Sequence, residues 1–253
     1  MELNRKNVFV VVPFYNEEKL ILSNLEALLK QTDQEFSLIL VDNNSNDKSI
    51  DVVNKFKAHH PTFKIEVISE MTKGTGSAVN TGFAYAISKG ATHILRTDSD
   101  CLPKYNWVEL IKKRFEQGYE FVTGIQMARK DDGHYRFYDD VFYSYCDISA
   151  GIWGNVLRPK KGFKYPFILA PGNNIGITRD LYLKTGGFTR SKIEDIHEDL
   201  DLSEKIRKLT TKAIKDRKIV TYTSMRRIRK WGYFRSWFWY ADHKYKPKII
   251  DIR

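Results

Sequence analysis

Cysteine and long apolar runs are both scarce in this sequence of 253 residues. Cys101 and Cys146 are its two cysteines, too few for a disulfide framework, so we expect a reduced protein. The longest apolar runs are short segments such as residues 8–12, whereas a membrane-spanning helix needs about 18 or more apolar residues. Polar residues follow Met1, which argues against a secretory signal. A cytoplasmic protein is the simplest expectation.

Aromatic residues make up 13% of the chain and hydrophobic residues 42%, which argues against disorder. Acidic residues are scarce at the C-terminal end: residues 205–253 contain 16 Lys and Arg but three acids, although the whole chain carries a net charge of +11. Such asymmetry indicates an anionic partner for the tail, which could be a membrane surface, a nucleic acid or a phosphorylated substrate.

The first hundred residues alternate between strand-like and helical patterns. Apolar runs predict strands at residues 7–13, 37–41, 64–68 and 93–96. Helical patterns follow at residues 19–30, from residue 49, and through Ala86. This alternation predicts an α/β protein with a parallel, doubly wound sheet. The polar loops after the strands then share the carboxyl edge of the sheet, where ligands bind in such folds.

Asp98 and Asp100 follow the fourth predicted strand with one residue between them. Two carboxylates on a short turn suit Mg²⁺ or Mn²⁺, which commonly bridge to substrate phosphates. The same pattern also occurs in solvated turns and as a helix cap. The Asp pair alone therefore leaves a metal site and a simple turn as open interpretations.

The other loops at this edge have side chains that could bind a nucleotide. Tyr15 could stack on a base, and Asp42 or Asn43 could hydrogen-bond to the base or the ribose. In the glycine-rich loop 73–82, small residues allow close backbone approach and Lys73 could neutralise a phosphate. Each loop alone could be an ordinary turn, and the segment lacks the closing residues of a Walker loop.

Several segments together resemble the successive motifs of the family 2 glycosyltransferases. The nucleotide-sugar side matches at residues 13–18, 41–47, 73–82 and 97–100, and the acceptor side matches at residues 172–179, 186–188 and 197–202. The resemblance implies the α/β GT-A fold, with one Rossmann-like, mostly parallel sheet. It implies a catalytic domain at 1–222, divided into a nucleotide-sugar half (1–103) and an acceptor half (104–222), followed by a basic helical tail (223–253).

The resemblance also implies a metal-dependent, inverting transfer of sugar from a nucleotide-sugar to a hydroxyl group. Asp98 and Asp100 would hold Mn²⁺ or Mg²⁺, with Asp100 the principal ligand, and Asp199 would be the general base. The acceptor would be a glycan or a lipid-linked molecule in cell-surface polysaccharide or glycolipid synthesis. The residues expected to bind substrate are Pro13, Tyr15, Glu17, Asp42, Asn43, Lys73, Asp98, Asn173, Glu198, Arg229 and Trp231.

Asn43 departs from the family pattern, which often has a second acid at that position. An amide can donate or accept at the base, so uridine recognition is weakened, although a UDP-sugar remains the first expectation. Asp199 lies in an acidic segment, residues 194–201, that could instead be a solvated helix start. A cluster this acidic is self-repelling unless a metal ion or a base lies close to it, which favours a function. His197 is assigned no role.

Two aromatic regions keep alternatives open. Residues 135–153 contain seven aromatic side chains and are expected to be core, with an acceptor groove as the alternative. In the tail, Trp231, Phe234 and Phe238 recur at helical spacing after a basic cluster, which predicts one amphipathic helix. That helix could lie on an anionic membrane at the inner face of the plasma membrane, or pack on the domain or a second subunit.

Two other classes of protein compete with the transferase hypothesis. A nucleic-acid-binding protein would explain the basic aromatic tail but not the loops at one sheet edge. The family resemblance makes a nucleic-acid partner unexpected. A nucleotidyltransferase on a similar sheet would need a long glycine-rich signature after the first strand, which is absent. The oligomeric state and the identity of the donor sugar are not predicted.

Overall fold

The computed structural model describes residues 7–157, 162–189 and 198–242. Its strands are β1 (Val8–Phe14), β2 (Ser37–Asp42), β3 (Ile65–Ser69), β4 (His93–Arg96), β5 (Cys101–Pro103), β6 (Phe121–Ala128), β7 (Ile175–Thr178) and β8 (Ala213–Thr223). Its helices are α1 (Ile21–Leu29), α2 (Ser49–His59), α3 (Thr75–Ser88), α4 (Trp107–Glu116), α5 (Asp139–Leu157), α6 (Arg179–Thr185), α7 (Glu198–Leu209), α8 (Arg226–Trp231) and α9 (Tyr233–Asp242).

The strands of the described residues form one sheet in the order β3-β2-β1-β4-β7-β6-β8-β5. The first four strands are parallel, as the βαβ pattern predicts. β6 and β8 are also parallel, whereas β7 runs antiparallel to β4 and β6, and β5 runs antiparallel to β8. The mostly parallel sheet is confirmed, with two antiparallel strands that the sequence pattern did not identify.

Every residue of β1 is buried, because helices cover both faces of the sheet. Val10 and Val12 belong to the hydrophobic core on one face, together with Leu25 of α1. Phe9 and Val11 belong to the core on the other face. The continuous β-branched run therefore fills two cores at once, and the polar residues are left to the strand ends.

Helix α3 begins at Thr75, so the predicted loop over residues 73–82 is wrong from that residue onward. The glycines serve helix packing. A Cβ on Gly82 would lie 2.4 Å from Val11 Cγ1, and a Cβ on Gly76 would lie 2.4 Å from the carbonyl oxygen of Thr189. Close approach of α3 to its neighbours, not a phosphate cradle, explains why these positions lack side chains.

The aromatic segment over residues 135–153 forms the approach to α5 and most of that helix. Tyr143 is buried, in agreement with the expected core role, but Phe137, Tyr145 and Trp153 are exposed. The core interpretation is therefore wrong for these three residues. An acceptor groove at this position stays a prediction.

The tail does not form the single helix that its spacing predicts. Gly232, with φ of 83°, separates α8 from α9, because this left-handed conformation ends α8. Ile228 of α8 packs with Met225, Ala128 and Tyr143 in a small separate core. The start of the tail therefore packs against the end of β6 and helix α5. In the ranges that the structure describes, no helix is both long enough and apolar enough to span a bilayer.

Candidate active site

The turn after β4 presents Asp98 and Asp100 at the carboxyl end of the parallel strands. The backbone N–H of Cys101 donates to the carbonyl oxygen of Asp98 at 3.0 Å and closes the turn. The Asn24 amide, from α1, donates to the carbonyl oxygens of Asp98 (3.1 Å) and Cys101 (2.7 Å). The neighbouring helix thus holds the backbone of the turn that carries both carboxylates.

Arg96, the last residue of β4, connects this turn to α7. Its Nε donates to Asp98 Oδ1 at 3.2 Å, and its Nη2 donates to Glu198 Oε1 at 3.0 Å. Burial of the guanidinium lowers the pKa of Arg96, but the negative charges of Asp98 and Glu198 together have the larger effect, so the pKa is raised overall. The remaining nitrogen, Nη1, is buried and has no hydrogen-bond partner among the described residues.

Asp199 lies in the first turn of α7, directly after Glu198. Its Oδ2 accepts a hydrogen bond from the backbone N–H of Gly172 at 3.0 Å, and its Oδ1 accepts one from Leu200 at 2.7 Å. Burial raises the pKa of Asp199, and the nearby charge of Arg96 offsets part of that effect. The carboxylate is therefore a stronger proton acceptor than an ordinary aspartate.

Arg226, the first residue of α8, joins the turns that follow β1 and β4. Its Nη1 donates to Glu17 Oε2 at 2.8 Å, and its Nη2 donates to Glu17 Oε1 and, at 3.2 Å, to Asp100 Oδ2. Burial opposes the charge, but Asp100 and Glu17 outweigh it and raise the pKa of Arg226. The predicted principal metal ligand is thus held by an arginine.

The arginine contacts and the mutual charge effects on pKa connect the acidic side chains around the β4 turn into one site. The carboxylates are those of Glu17, Asp98, Asp100, Glu198 and Asp199. In the described contacts, Arg96 and Arg226 bind carboxylates of this site. Burial raises the pKa of Asp98, and the charges of Asp100 and Glu198 raise it further while Arg96 lowers it. A cation bound beside Asp98 and Asp100 would relieve the repulsion between these carboxylates.

Asp98 and Asp100 can hold a divalent metal ion only if substrate or water supplies the other ligands. Within the described ranges, no three Asp, Glu, His or Cys side chains converge closely enough to hold a metal ion by themselves. Asp100 is 25% exposed and Asp98 is 32% exposed, so both oxygen donors are within reach of a ligand. The donor set therefore fits Mg²⁺ or Mn²⁺ that takes its remaining oxygen ligands from substrate phosphates and water.

The predicted nucleotide-binding residues lie at the ends of β1 and β2. Pro13 is buried in β1, and the half-buried Tyr15 accepts a hydrogen bond from Lys73 Nζ at 3.1 Å. Asp42 ends β2, and its Oδ1 accepts from the backbone N–H of Ser45 at 3.0 Å. Tyr15, Lys73 and Asp42 therefore share one end of the sheet, as expected from parallel strands.

Asn43 uses its whole amide to hold the chain that leads into α3. Its Nδ2 donates to the carbonyl oxygens of Glu70 (2.9 Å) and Thr72 (2.8 Å), and its Oδ1 accepts from the backbone N–H of Gly74 at 2.8 Å. These contacts give Asn43 a positioning role for the segment that carries Lys73. Contact of its side chain with a base would require one of them to break.

Three residues expected to bind substrate make structural contacts. Asn173 is 6% exposed, and its Nδ2 donates to Cys101 Sγ at 3.2 Å. Arg229 donates to the carboxylate of Asp139, which is fully buried, and to the carbonyl oxygen of His134. Trp231 is 7% exposed. The acidic side chains that precede Glu198, with His197, lie outside the described residues.

Sequence reasoning missed Arg96 and Arg226. Arg96 ends a short strand whose other residues include buried Ile94 and Leu95, and a cation at such a position is a signal for a buried carboxylate partner. Arg226 belongs to the basic cluster at residues 226–231, from which Arg229 and Trp231 alone were expected to bind substrate. Arg226 and Arg229 lie in one helix, but only Arg226 reaches the β4 turn in the described contacts.

The chain is similar in sequence to known proteins. The sequence model described as Glycosyl transferase family 2 matches residues 9–178. An undecaprenyl-phosphate 4-deoxy-4-formamido-L-arabinose transferase of Photorhabdus laumondii is 33% identical over 134 residues. That match covers 52% of this chain and 40% of the relative. The chain therefore spans less than half the length of this relative.

Solved structures share the fold. The mannosyltransferase PcManGT of Pyrobaculum calidifontis, in complex with GDP-Man and Mn²⁺, aligns with a TM-score of 0.65 at 22% identity, over 95% of this chain and 65% of that one. Residues 1–349 of S. aureus TarS, in complex with UDP, align with a TM-score of 0.62 at 16% identity, over 93% of this chain and 66% of that one. The predicted GT-A fold is confirmed.

Proposed function

Because the chain belongs to glycosyl transferase family 2, we propose that it transfers a sugar from a nucleotide-sugar to a hydroxyl group, with inversion at the anomeric carbon. The observation that carries the proposal is the placement of Asp199. This carboxylate follows Glu198, which is tied through Arg96 to the turn that carries Asp98 and Asp100. The proton acceptor and the phosphate-side carboxylates therefore belong to one connected site.

Asp199 is the general base of the proposed reaction. Its raised pKa favours proton uptake from an acceptor hydroxyl as that oxygen attacks the anomeric carbon. The hydrogen bonds from Gly172 and Leu200 orient the carboxylate. A single displacement with one base inverts the configuration and needs no side-chain nucleophile.

Asp100 and Arg226 act on the leaving nucleoside diphosphate. Asp100, with Asp98 beside it, would hold Mg²⁺ or Mn²⁺, which supplies positive charge to the diphosphate when it is bound. Arg226, which donates to Asp100 and Glu17, lies beside this pair of carboxylates and would supply a second positive charge to the diphosphate. Because arginine binds phosphate in a forked geometry, it suits the charge that develops on the leaving group.

The donor is a UDP-sugar in the first hypothesis. Tyr15 offers an aromatic face, Asp42 offers a carboxylate for the base or the ribose, and Lys73 offers a positive charge beside Tyr15. The solved relatives carry GDP-Man or UDP, so nucleotide-sugars of more than one base fit this fold. The hydrogen bonds of Asn43 argue for recognition of the base by other groups.

The acceptor is a lipid-linked molecule or a growing glycan. The support is the name of the Photorhabdus relative, which is an undecaprenyl-phosphate 4-deoxy-4-formamido-L-arabinose transferase. Transfer to such a lipid would take place at the inner face of the plasma membrane. The sugar and the linkage are left to a screen of donors and acceptors.

Binding of UDP, GDP, CDP and dTDP, each with Mn²⁺ and with EDTA, tests the proposal. We expect one nucleotide to raise the thermal midpoint in the presence of Mn²⁺ and to lose that effect in EDTA. Donor turnover, followed as release of the nucleoside diphosphate, then identifies the sugar. Folded protein that responds to no nucleotide under either condition would contradict the proposal.

A further inference from the structure

Helix α5 presents a long apolar stripe to solvent. The side chains that form it are 55–68% exposed and are Val141, Tyr145, Ile148, Ile152, Trp153 and Val156. Their spacing of three and four residues places them on one face of the helix. At a rise of about 1.5 Å per residue, the stripe is about 22 Å long. Isolated apolar residues on a surface are ordinary, but a continuous stripe of this length marks an interaction surface.

The charged residues of α5 are turned to the protein and are paired. Asp139 binds Arg229, and Asp147 binds Lys215 and, at 2.8 Å, Arg217. Asp147 is the one charged residue of the helix between Val141 and Val156. The exposed face of α5 therefore has no charge that a partner must neutralise.

The apolar surface continues onto α9. The Tyr233 ring packs against Phe142 with 4.8 Å between ring centroids, which brings the first turn of α9 beside the start of α5. Phe234, the next residue, is 73% exposed, and Phe137 before α5 is 83% exposed. Two exposed aromatic rings thus extend the stripe at this end.

Basic side chains border the same end. Lys130 is 61% exposed, and its Nζ lies 3.9 Å from Asp140 Oδ2. Arg136 and Arg235 are also exposed and lie next to the two exposed phenylalanines in the sequence. An uncharged apolar face with aromatic and basic residues at its border is the composition that enters the interfacial region of an anionic bilayer.

We propose that the α5 surface, defined as the stripe together with Phe137 and Phe234, inserts into the headgroup region of a membrane that contains anionic lipid. Apolar burial supplies the attraction of the stripe, and Lys130, Arg136 and Arg235 supply attraction to negative headgroups. The proposal extends the proposed function without depending on it. Its link to the active site is short, because Asp139 of α5 binds Arg229 in the helix that begins with Arg226.

A second copy of the chain is a poorer occupant for this surface. A stable protein interface uses about 20–30 residues from each partner, whereas the α5 surface comprises eight.

Flotation of the full chain with lipid vesicles tests the proposal. One set of vesicles contains phosphatidylcholine alone, and the other contains phosphatidylcholine with phosphatidylglycerol. The test variant is Ile148→Gln with Ile152→Gln, and the matched control is Met71→Gln with Leu183→Gln, two exposed apolar residues off the stripe. We expect wild type and control to bind the anionic vesicles and the test variant to bind more than about tenfold more weakly.

A second variant tests the charged border. Lys130→Gln with Arg136→Gln is expected to weaken binding to anionic vesicles several-fold and to reduce its dependence on salt. Equal binding of wild type to neutral and anionic vesicles overturns the role of these bases. Thermal unfolding of each variant without lipid checks that the fold is kept.

Three outcomes overturn the assignment of the α5 surface. They are no vesicle binding by wild type, undiminished binding by the Ile148/Ile152 variant, and a concentration-dependent dimer in light scattering that this variant abolishes. Nucleotide-induced thermal stabilisation, measured on the same samples, separates this proposal from the proposed function. A wild type that responds to a nucleotide but not to vesicles rejects the membrane surface alone.

Discussion

Arg96 and Arg226 each bind two carboxylates, one of which lies in the β4 turn, yet the surroundings of the two arginines differ. The Arg96 side chain is 1% exposed and joins a strand end to the first turn of α7. The Arg226 side chain is 16% exposed and begins a helix that packs at the margin of the domain. Removal of one partner from a fully buried ion pair costs about 3–5 kcal/mol, and the cost falls with exposure.

From this difference we expect Arg96 to keep its two carboxylate partners when a ligand binds and Arg226 to exchange one of its partners. Arg96 fixes the distance between the β4 turn and Asp199 because both of its carboxylates belong to these two elements. Arg226 binds Asp100, the residue with a predicted role at the metal. In the proposed function, a metal ion that binds Asp100 would leave Arg226 with its other partner, Glu17, and able to donate to a phosphate.

The largest expected effect is the loss of turnover when Asp199 is replaced. Asp199 follows Glu198, which Arg96 holds in place. Asp199→Asn removes the proton acceptor, so kcat should fall by about 10²–10⁴-fold. Binding of the nucleotide should change less than about threefold, since Asp199 lies on the acceptor side of the site. Isothermal calorimetry and donor turnover measure the two quantities. Asp180→Asn, a substitution of an exposed carboxylate on α6, is the control and should match wild type.

If Asp199 is not the base, Arg96 has no catalytic group to hold in place, and the two arginines differ only in their contribution to stability. Full activity in Asp199→Asn would leave Arg96 as the centre of a purely structural ion-pair cluster. The acidic segment before Glu198 would then need to supply the base.

The second expected effect is on stability. Arg96→Met leaves Asp98 and Glu198 without their partner, and the free energy of unfolding should fall by about 3–5 kcal/mol. Arg226→Met should cost about half as much because its site is closer to solvent. Added Mn²⁺ should restore part of the loss in the Arg226 variant, since a cation can replace the guanidinium beside Asp100. Urea unfolding with and without Mn²⁺ measures both effects, and equal losses in the two variants would break the comparison.

The sequence alone predicts which residues lie at the carboxyl edge of the sheet. It does not predict the ion pairs that join this edge to distant parts of the chain. Strand ends follow from apolar runs and polar stops, so the β4 turn and its Asp pair were predicted at the observed position. The pairs Arg96–Glu198 and Arg226–Glu17 join residues 102 and 209 positions apart. No local period encodes such distances, and only the packed fold brings these residues together.

Two other errors have local causes. The glycines between residues 73 and 82 predict a loop, whereas in the structure Gly76 and Gly82 lie in α3 and make room for Thr189 and Val11 against the helix. In the tail, helical spacing ran through Gly232, whose left-handed conformation ends α8. A glycine can therefore mark a break or a close packing contact, and the choice depends on neighbours that the sequence alone does not reveal.

A third expected effect concerns the exchange of partners by Arg226. Arg226→Gln should lower kcat by about 10–100-fold, because one charged donor to the leaving group is lost. Arg226→Lys should recover part of the rate, since the charge remains but the forked geometry does not. In the absence of nucleotide, Mn²⁺ should bind more tightly to Arg226→Gln than to wild type, as electron paramagnetic resonance can measure. Weaker Mn²⁺ binding in this variant would show that Arg226 does not compete for Asp100.

The smallest expected effect is on the pH dependence, where the Arg96 region again differs from an ordinary ion pair. Burial raises the pKa of Asp199 above its usual 3.8, so the folded protein holds this proton more tightly than the unfolded chain does. As the pH rises from the pKa of Asp199 in the unfolded chain to its higher pKa in the folded protein, the ionisation of Asp199 lowers the stability of the fold. Asp216 behaves in the opposite way. Burial raises its pKa, but hydrogen bonds from Lys218 and Arg114 outweigh burial and lower the pKa, so ionised Asp216 stabilises the fold, and this stability is lost as the pH falls through its folded pKa. The acid limb of kcat/KM should lie above 3.8, since the base works ionised.

The difference in thermal midpoint between wild type and Asp199→Asn, followed from pH 3 to pH 7, isolates this contribution. The thermal midpoint of Asp199→Asn should rise relative to that of wild type as the pH rises. The reason is that ionisation of Asp199 opposes folding, whereas the amide does not ionise. Asp216→Asn should show the opposite trend, since it loses a carboxylate that the folded state stabilises in the ionised form. Parallel trends in the two variants would mean that Asp199 is held like Asp216, as an ordinary ion-paired carboxylate, and would remove the reason for its strength as a base.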